Sequence, residues 1–336
     1  MPDPDRTSSI AAPISEETYK PNRTRVSSSI IRIPISAERY ICPMRGGASS
    51  HLIRCTDGEY YVVKFAHNLQ GPLILANELL ATQLAERLGL PVPPYAIVRI
   101  DAKFIASSPA LTIHWGHQRV DCPSGLAFAS RYQSLIGDEH PLFIRPLLTL
   151  PPSLMGFVDN RKDFYGMLVF DKWVCNTDHR QVVFTASQKP PGYRVHMIDN
   201  GFCFNGNRWD FPDAPTRGLC SERFIYEPMT GMSDFKLWLT RLEKEMSLGT
   251  IKRCASNIPP RWYGHDVGKL HLLVEKLYLR RTRVCELLEE TVRSIKPRLC
   301  PYRERWWPPE RGANRKTACA AKRDGHISAS TTTARI

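Results

Sequence analysis

A cluster of polar side chains lies between two apolar segments in the stretch FDKWVCNTDHRQVVF, residues 170–184. Within it, Asp178 is an acid that could position a hydroxyl group or accept its proton. A second acid, Asp199, follows the next pair of strand-like segments, in the stretch MIDNGFCF. A hairpin between them would bring both carboxylates to one place, and two neighbouring carboxylates favour a divalent cation because they otherwise repel each other.

Lys64 and Glu78, which lie earlier in the chain, could supply the other two groups of a kinase-type phosphoryl-transfer site. Such a site requires a lysine that holds the phosphates and a helix carboxylate that orients this lysine. Lys64 ends the strand-like run YYVVK, and Glu78 lies on the next apolar helical segment. A strand-end lysine or a helix glutamate alone is more often a solvated surface residue, so the prediction depends on their order along the chain.

A loop with two consecutive glycines precedes this lysine, in the stretch RGGASSH. Gly46 and Gly47 permit backbone conformations that other residues rarely adopt. Ser49 and Ser50 add hydroxyl and amide donors, so the loop could surround phosphates with its N–H groups. An ordinary turn is the alternative interpretation of the same glycines.

The elements that must position these residues can be recognised from sequence patterns. Asp57-Gly58 separates two strand-like runs and predicts a hairpin that ends on Lys64. The segment GPLILANELLATQLAERLGLPVP has helical spacing, and Gly89 suits the end of that helix. Residues 94–100, 110–115 and 125–131 are predicted as further short strands or loops.

Helical patterns dominate the second half of the chain. Residues 160–176 predict a helix, and QVVFTA and YRVHMIDNGFCF predict two strands that enclose the loop SQKPPG. Further helices are predicted at 233–247 and, as one long helix, at about 266–295. The chain is thus predicted to be α+β, with a small β-rich lobe followed by a mostly helical lobe.

Composition limits the class of protein. The chain has 336 residues, of which 42% are apolar, and no stretch is long and apolar enough to span a bilayer. The ten cysteines form no CxxC pair, which predicts free thiols in a reducing cytoplasm and disfavours a zinc site. The net charge of +13 is concentrated near the C-terminus; without a recognised binding motif it gives a nucleic-acid partner little support.

Taken together, RGGASSHLIRC, YYVVKF, ANELLA, LGLPVP, FDKWVCNTDHRQVVF and MIDNGFCF resemble the HipA-like kinases over roughly residues 38–295. This resemblance implies a two-lobed protein-kinase-like fold of an atypical branch. It also implies binding of ATP and Mg²⁺, and transfer of the γ-phosphoryl group to a Ser or Thr of a protein. Asp178 would take the role of the catalytic-loop Asp, and Asp199 that of the metal-binding Asp in the D-F-G triplet.

The chain departs from the kinase pattern in the catalytic loop. Kinases place a metal-binding Asn five residues after the catalytic Asp, but Val183 stands there in this sequence. Either Gln181 replaces that ligand in a shortened loop, or only one metal site is complete. His179 and Arg180 could bind phosphate or substrate, or could instead orient Asp178.

Three functional hypotheses therefore stand: an ATP-dependent kinase, a nucleotide-binding pseudokinase that acts as an interaction module, and a basic protein associated with nucleic acid. An antitoxin-like protein partner is a further implication of the resemblance. The predicted domain division is an unstructured segment 1–35, a nucleotide-binding lobe 36–132, a catalytic lobe 133–308 and an unstructured basic tail 309–336.

Overall fold

A computed structural model describes most of the central part of the chain. The described residues are 35–44, 49–66, 69–115, 118–132 and 148–296. The segments predicted to be unstructured at the two ends therefore lie outside the described residues, except for Ile35, which begins the first strand. Gly46 and Gly47 of the predicted phosphate loop also lie outside them.

A small closed barrel forms the first lobe. Its strands follow the order β1-β2-β3-β7-β4; β1 runs parallel to β4, and the other neighbours are antiparallel. The elements of this lobe are β1 (Ile35–Pro43), β2 (His51–Cys55), β3 (Tyr60–Lys64), α1 (Ile74–Leu88), β4 (Tyr95–Ile100), α2 (Ala102–Ala106), β5 (Thr112–Trp115), β6 (Gln118–Asp121) and β7 (Gly125–Arg131).

The predicted hairpin is β2 and β3, which pair in antiparallel register across the turn at Asp57-Gly58. Gly58 has φ +85°, the left-handed conformation that favours glycine and fixes the turn. Tyr61 and Val63 face the barrel core, and Lys64 leaves the strand at its end. Lys64 lies opposite Phe128 of β7, so the closed barrel holds the backbone of this lysine.

Helix α1 lies between the barrel and the second lobe. Thirteen of its fifteen residues are buried, far more than in a surface helix with one apolar face. It ends at Gly89, with φ +83°, as the sequence pattern predicted. Because both lobes cover the helix, even its polar residues Asn77 and Glu78 are enclosed.

The second lobe is mostly helical and contains one two-stranded ribbon. Its elements are α3 (Asp163–Val174), β8 (Gln181–Ala186), β9 (Tyr193–Ile198), α4 (Lys236–Glu245), α5 (Leu248–Ala255), α6 (Val267–Arg280) and α7 (Val284–Ile295). Helix α3 lies at its centre; the Trp173 ring is fully buried, and its Nε1 donates to the carbonyl of Leu277 at 2.8 Å. This contact fixes the end of α3, from which the polar loop departs.

The prediction of one long helix at about 266–295 was wrong. A 3₁₀ turn at Arg281–Arg283 separates α6 from α7. Just before the turn, Arg280 is buried, and its guanidinium donates to the carbonyls of Lys172 and Phe211. Apolar spacing continues across the break, so periodicity alone could not reveal it.

The remaining predictions on architecture agree with the structure. The strands at 94–100, 110–115 and 125–131 correspond to β4, β5 and β7, whereas β6 and α5 had not been predicted. The predicted α+β class, with a small β-rich lobe followed by a mostly helical lobe, is confirmed. Cysteines in the described ranges are free thiols, and no helix there is long and apolar enough to cross a membrane.

Candidate active site

Three of the predicted site residues meet at the junction of the lobes. The Lys64 ammonium forms ion pairs with Glu78 of α1 and with Asp199, which follows β9. Its Nζ lies 2.9 Å from Oδ1 of Asp199. The lysine is 8% exposed and Glu78 is 1% exposed, so water screens the first pair only weakly. One cation thus joins carboxylates from two separate elements.

Charge and burial act in opposite directions on these three groups. Burial alone would lower the pKa of Lys64, but the charges of Asp199 and Glu78 outweigh it and raise this pKa. Burial raises the pKa of Glu78, although Lys64 and the N–H of Asn200 oppose the shift. Burial would also raise the pKa of Asp199, but the Lys64 ammonium outweighs it and lowers this pKa. Lys64 and Asp199 are therefore held in their charged forms.

The ribbon β8–β9 places the two predicted catalytic acids at the same end. Gln181 pairs with Ile198 across the ribbon, so Asp178 lies just before one strand and Asp199 just after the other. The loops that carry them are also bonded directly, because the backbone N–H and the hydroxyl of Thr177 both lie near the carbonyl of Phe202, at 3.2 and 3.3 Å. The hairpin predicted from sequence is therefore present, with both acids at the same end of the ribbon.

Short hydrogen bonds fix the backbone around Asp178. Its N–H donates to Oδ1 of Asn176 at 3.1 Å, and its carbonyl accepts from the N–H of Gly218 at 3.1 Å. Its own Oδ1 accepts from the N–H of His179 at 2.8 Å. The Asp178 side chain is half-buried and His179 is exposed. A positioned but accessible carboxylate of this kind could orient an acceptor hydroxyl.

Arg180 is buried, so the interpretation that it binds phosphate or substrate is wrong. Its guanidinium is enclosed and makes two hydrogen bonds to Asp171, one of them Nε to Oδ2 at 2.9 Å. It also donates to the carbonyl of Ile198 at 2.8 Å and to Oδ1 of Asn200 at 3.0 Å. The arginine therefore orients the catalytic loop by joining α3, β9 and the residue after Asp199.

Asn200, which stands where kinases often have Phe, is a buried polar junction. Its N–H donates to Oε2 of Glu78 at 3.1 Å, and its Nδ2 donates to Oγ1 of Thr82 at 3.0 Å. Both bonds connect it to α1, while its Oδ1 accepts from Arg180. A phenylalanine could make none of the side-chain bonds, so the exchange of Phe for Asn replaces apolar packing by a polar connection between lobes.

The next residue, Gly201, lies where backbone and helix approach closely. A Cβ added there would stand 3.0 Å from Cγ2 of Ile74 and 3.3 Å from Oε1 of Glu78. A larger side chain would push the segment away from α1 and displace the carboxylate that binds Lys64. The glycine of the triplet is thus needed for space.

The structure separates the two candidates for the missing metal ligand. Val183 is 5% exposed and lies within β8 opposite His196, so it is a packing residue. Gln181 is exposed at the first position of β8, next to the strand end that leads to Asp199. Among the described residues there is no group of three or more His, Cys, Asp or Glu side chains able to hold a metal by themselves.

The part of the predicted phosphate loop that is described connects β1 to β2. The carbonyl of Ser50 accepts from the N–H of Met44 at 2.8 Å, which closes the base of the loop. Ser49 has φ +46° and is half-buried, and Ser50 is 8% exposed. The loop thus lies between β1 and β2, and Lys64 is the last residue of the following strand, β3.

Sequence reasoning missed two buried polar residues that hold the site together, Asn77 and Asp171, and it named Asn176 and Asn200 without predicting their contacts. Asn77 and Asp171 were not singled out because single polar residues in apolar segments have many explanations. The signal that could have found them is the density of Asn and Asp around Asp178 and Asp199, since buried polar groups require partners.

Comparison with known proteins agrees with the motifs. Residues 41–187 match the family described as HipA-like kinase. That segment includes Lys64, Glu78 and Asp178, and ends before Asp199. No curated protein matches the chain in sequence.

Several solved kinase structures are similar to this chain at low identity. The Helicobacter pylori proinflammatory kinase CtkA shares 14% identity, with 77% of this chain and 96% of that chain covered, at a TM-score of 0.45. A complex of HipA, HipB and operator DNA from Shewanella oneidensis MR-1 shares 13%, with 74% and 67% covered, at 0.41. The Golgi casein kinase with Mn/ADP bound shares 8%, with 80% and 74% covered, at 0.38. The family match covers residues 41–187, and this part of the chain is similar to the HipA-like kinases.

Proposed function

We propose that this protein transfers the γ-phosphoryl group of Mg–ATP to a Ser or Thr hydroxyl of a protein. The observation that carries this proposal is the Lys64 ammonium paired with both Glu78 and Asp199. A lysine at a strand end, oriented by a helix glutamate beside a metal-binding aspartate, is the arrangement by which kinases hold phosphates. The HipA-like family match supports a phosphotransferase in general.

The residues around the cleft fit Mg²⁺, which prefers oxygen ligands and binds through one or two carboxylates together with phosphates. Asp199, with a side chain one-fifth exposed, and the exposed Gln181 would hold it. When bound, the metal would neutralise charge on the phosphate oxygens. Lys64 would hold the phosphates from the barrel side, with Gly46, Gly47, Ser49 and Ser50 of the loop covering them.

Asp178 would orient the acceptor hydroxyl and accept its proton. Its backbone is fixed by Asn176 and Gly218, so only its side chain is left to adjust to the substrate. Arg180 keeps this loop in place from beneath and takes no direct part in the reaction. Binding is thus assigned to Lys64 and Asp199, and proton transfer to Asp178.

A transfer assay with radiolabelled ATP and a generic protein acceptor tests these roles. Asp178→Asn keeps the size of the side chain but cannot take a proton, so we expect transfer to fall by about 10²–10⁴-fold. It should leave intact the rise in melting temperature that Mg–ATP gives by mass action. Asp199→Asn should lose both. Asp121→Asn, at an exposed position in β6, is the matched control and should retain both.

A pseudokinase is the second candidate function, and the buried Val183 in place of a metal-binding Asn favours it. It requires that Mg–ATP raises the melting temperature of the wild type while no transfer is detected. Transfer that depends on Asp178 excludes it. If Asp178→Asn retains wild-type transfer, the assignment of the catalytic residue is wrong.

The finer features of the proposal have their own tests. We keep residues 36–132 as the nucleotide-binding lobe and 133–308 as the catalytic lobe, which limited proteolysis with and without Mg–ATP would check. An antitoxin-like partner is carried over from the family resemblance, and co-purification with a neighbouring gene product tests it. We place the protein in the cytoplasm, in keeping with its free thiols.

A further inference from the structure

Asn77 of α1 lies beside Glu78 and is completely buried. Its side-chain amide uses both N–H groups, because Nδ2 donates to the carbonyl of Gly201 at 2.7 Å and to that of Gly206 at 2.9 Å. Its Oδ1 accepts from Nε1 of Trp209 at 2.8 Å. One side chain therefore binds three points of the segment that follows Asp199.

That segment has little regular structure of its own. Phe204, Asn205, Gly206 and Trp209 all have φ between +54° and +62°, in the left-handed region. Such backbone persists only where the surroundings impose it, and its buried carbonyls need partners from elsewhere. Asn77 supplies those partners from a helix that both lobes hold in place.

The position of Asn77 connects it to the proposed chemistry. Its neighbour Glu78 binds Lys64, and its partner Gly201 lies two residues after Asp199, which binds the same lysine. We propose that Asn77 is a positioning residue that fixes residues 199–209 on α1, so that Asp199 is held where it can bind metal and nucleotide. This inference rests on the proposed function for its consequence in catalysis.

The same helix offers a matched control. Gln83 is also a buried amide of α1, 4% exposed, and its Oε1 accepts from Nδ2 of Asn257 at 2.7 Å. This bond also joins α1 to the helical lobe, but it does not touch residues 199–209. Loss of Gln83 should therefore reproduce any general loosening of the helix without the effect on Asp199.

The experiment compares wild type with Asn77→Ala, Trp209→Phe and Gln83→Ala in the full chain. Calorimetric titration with Mg²⁺ and a non-hydrolysable ATP analogue measures binding, and hydrogen exchange measures protection of residues 199–209. We expect Asn77→Ala to weaken metal-dependent nucleotide binding by about 10–100-fold, the range for residues that support a metal ligand. The exchange of residues 199–209 should rise.

If Asn77→Ala does not fold, Trp209→Phe, the milder variant, tests the inference instead. Trp209→Phe removes only the donor to Oδ1 and leaves both carbonyl bonds of Asn77, so it should weaken binding less but in the same direction. Gln83→Ala should bind nucleotide as the wild type does and leave exchange at 199–209 unchanged.

Two results would overturn the inference. If Gln83→Ala weakens binding as much as the variants of Asn77 or Trp209, the amide is merely structural. If residues 199–209 exchange hydrogen at the wild-type rate in both Asn77→Ala and Trp209→Phe, Asn77 does not position them. Wild type that binds no nucleotide at all would refute the proposed function instead, and the exchange measurement would still decide the role of Asn77.

Discussion

Lys64 supplies the positive charge that lets Glu78 and Asp199 lie close together at the lobe junction. Lys64→Met keeps a long unbranched side chain and leaves Glu78 buried without a cation. Removing one partner of a buried ion pair costs about 3–5 kcal/mol, because the other charge is left uncompensated. At about 2–4 °C per kcal/mol for a domain of this size, the melting temperature should fall by roughly 10 °C.

The loss should depend on pH in a defined direction. Burial raises the pKa of Glu78, and Lys64 opposes that rise, so without Lys64 the pKa of Glu78 should rise further. When the pKa of a carboxyl group is higher in the folded state than in the unfolded state, the protein becomes less stable as the pH rises from the lower of these two pKa values to the higher. The reason is that the folded state binds more protons than the unfolded state in this pH range. The cost of Lys64→Met should therefore be larger at about pH 8 than at about pH 5.

Urea unfolding of the wild type and three variants tests this reasoning. The double variant Lys64→Met, Glu78→Gln removes the buried charge and should recover at least about 2 kcal/mol at high pH, since a neutral amide needs no cation. Lys103→Met, at an exposed position of α2, should stay within about 0.5 kcal/mol of wild type. The reasoning is refuted if the single variant costs the same at both pH values and the double variant recovers nothing.

Three further predictions follow from other buried contacts. Burial raises the pKa of Asp163 to about 6, so wild type should lose up to about 3 kcal/mol of stability between pH 4 and 6. Asp163→Asn should flatten that slope in urea unfolding, and an unchanged slope would contradict the assignment. Arg180→Met should cost about 3–5 kcal/mol because Asp171 is left buried and unpaired; equal stability by calorimetry would show that the pair is dispensable. Gly201→Val, which must displace Ile74 or its own segment, should cost about 1–3 kcal/mol and reduce nucleotide-dependent stabilisation in a thermal melt, and a melt identical to wild type would argue against close packing there.

The charged candidate residues could be selected from the sequence because local patterns locate them. A strand signal ends at Lys64, a helical signal contains Glu78, and two strand signals separate Asp178 from Asp199. Each of these patterns is short-range, and their order along the chain predicted a kinase-type site. The pair between Lys64 and Glu78 was predicted from the kinase arrangement. The ion pair between Lys64 and Asp199 was not predicted, because it depends on how the two lobes pack.

Contacts between distant elements could not be predicted from one sequence. The bonds of Asn77 join residues more than a hundred positions apart. The residues of the Asp171–Arg180 pair are only nine positions apart, but the pair forms because the loop folds back onto α3. The break at Arg281–Arg283 could not be predicted because apolar periodicity persists across it, and the contact of the buried Arg280 with the carbonyl of Lys172 in α3 is visible only in the structure. The parallel pairing of β1 with β4, which closes the barrel, likewise leaves no local signal.

The central claim is that Lys64 and Asp199 together hold a metal-bound nucleotide. A crystal structure with Mg²⁺ and a non-hydrolysable ATP analogue tests it most directly. The account predicts phosphate oxygens at the Lys64 ammonium and a metal ion on the Asp199 carboxylate, with Gln181 as the nearest further protein ligand. A nucleotide bound elsewhere, or one that leaves both Lys64 and Asp199 without contact to phosphate or metal, would contradict it.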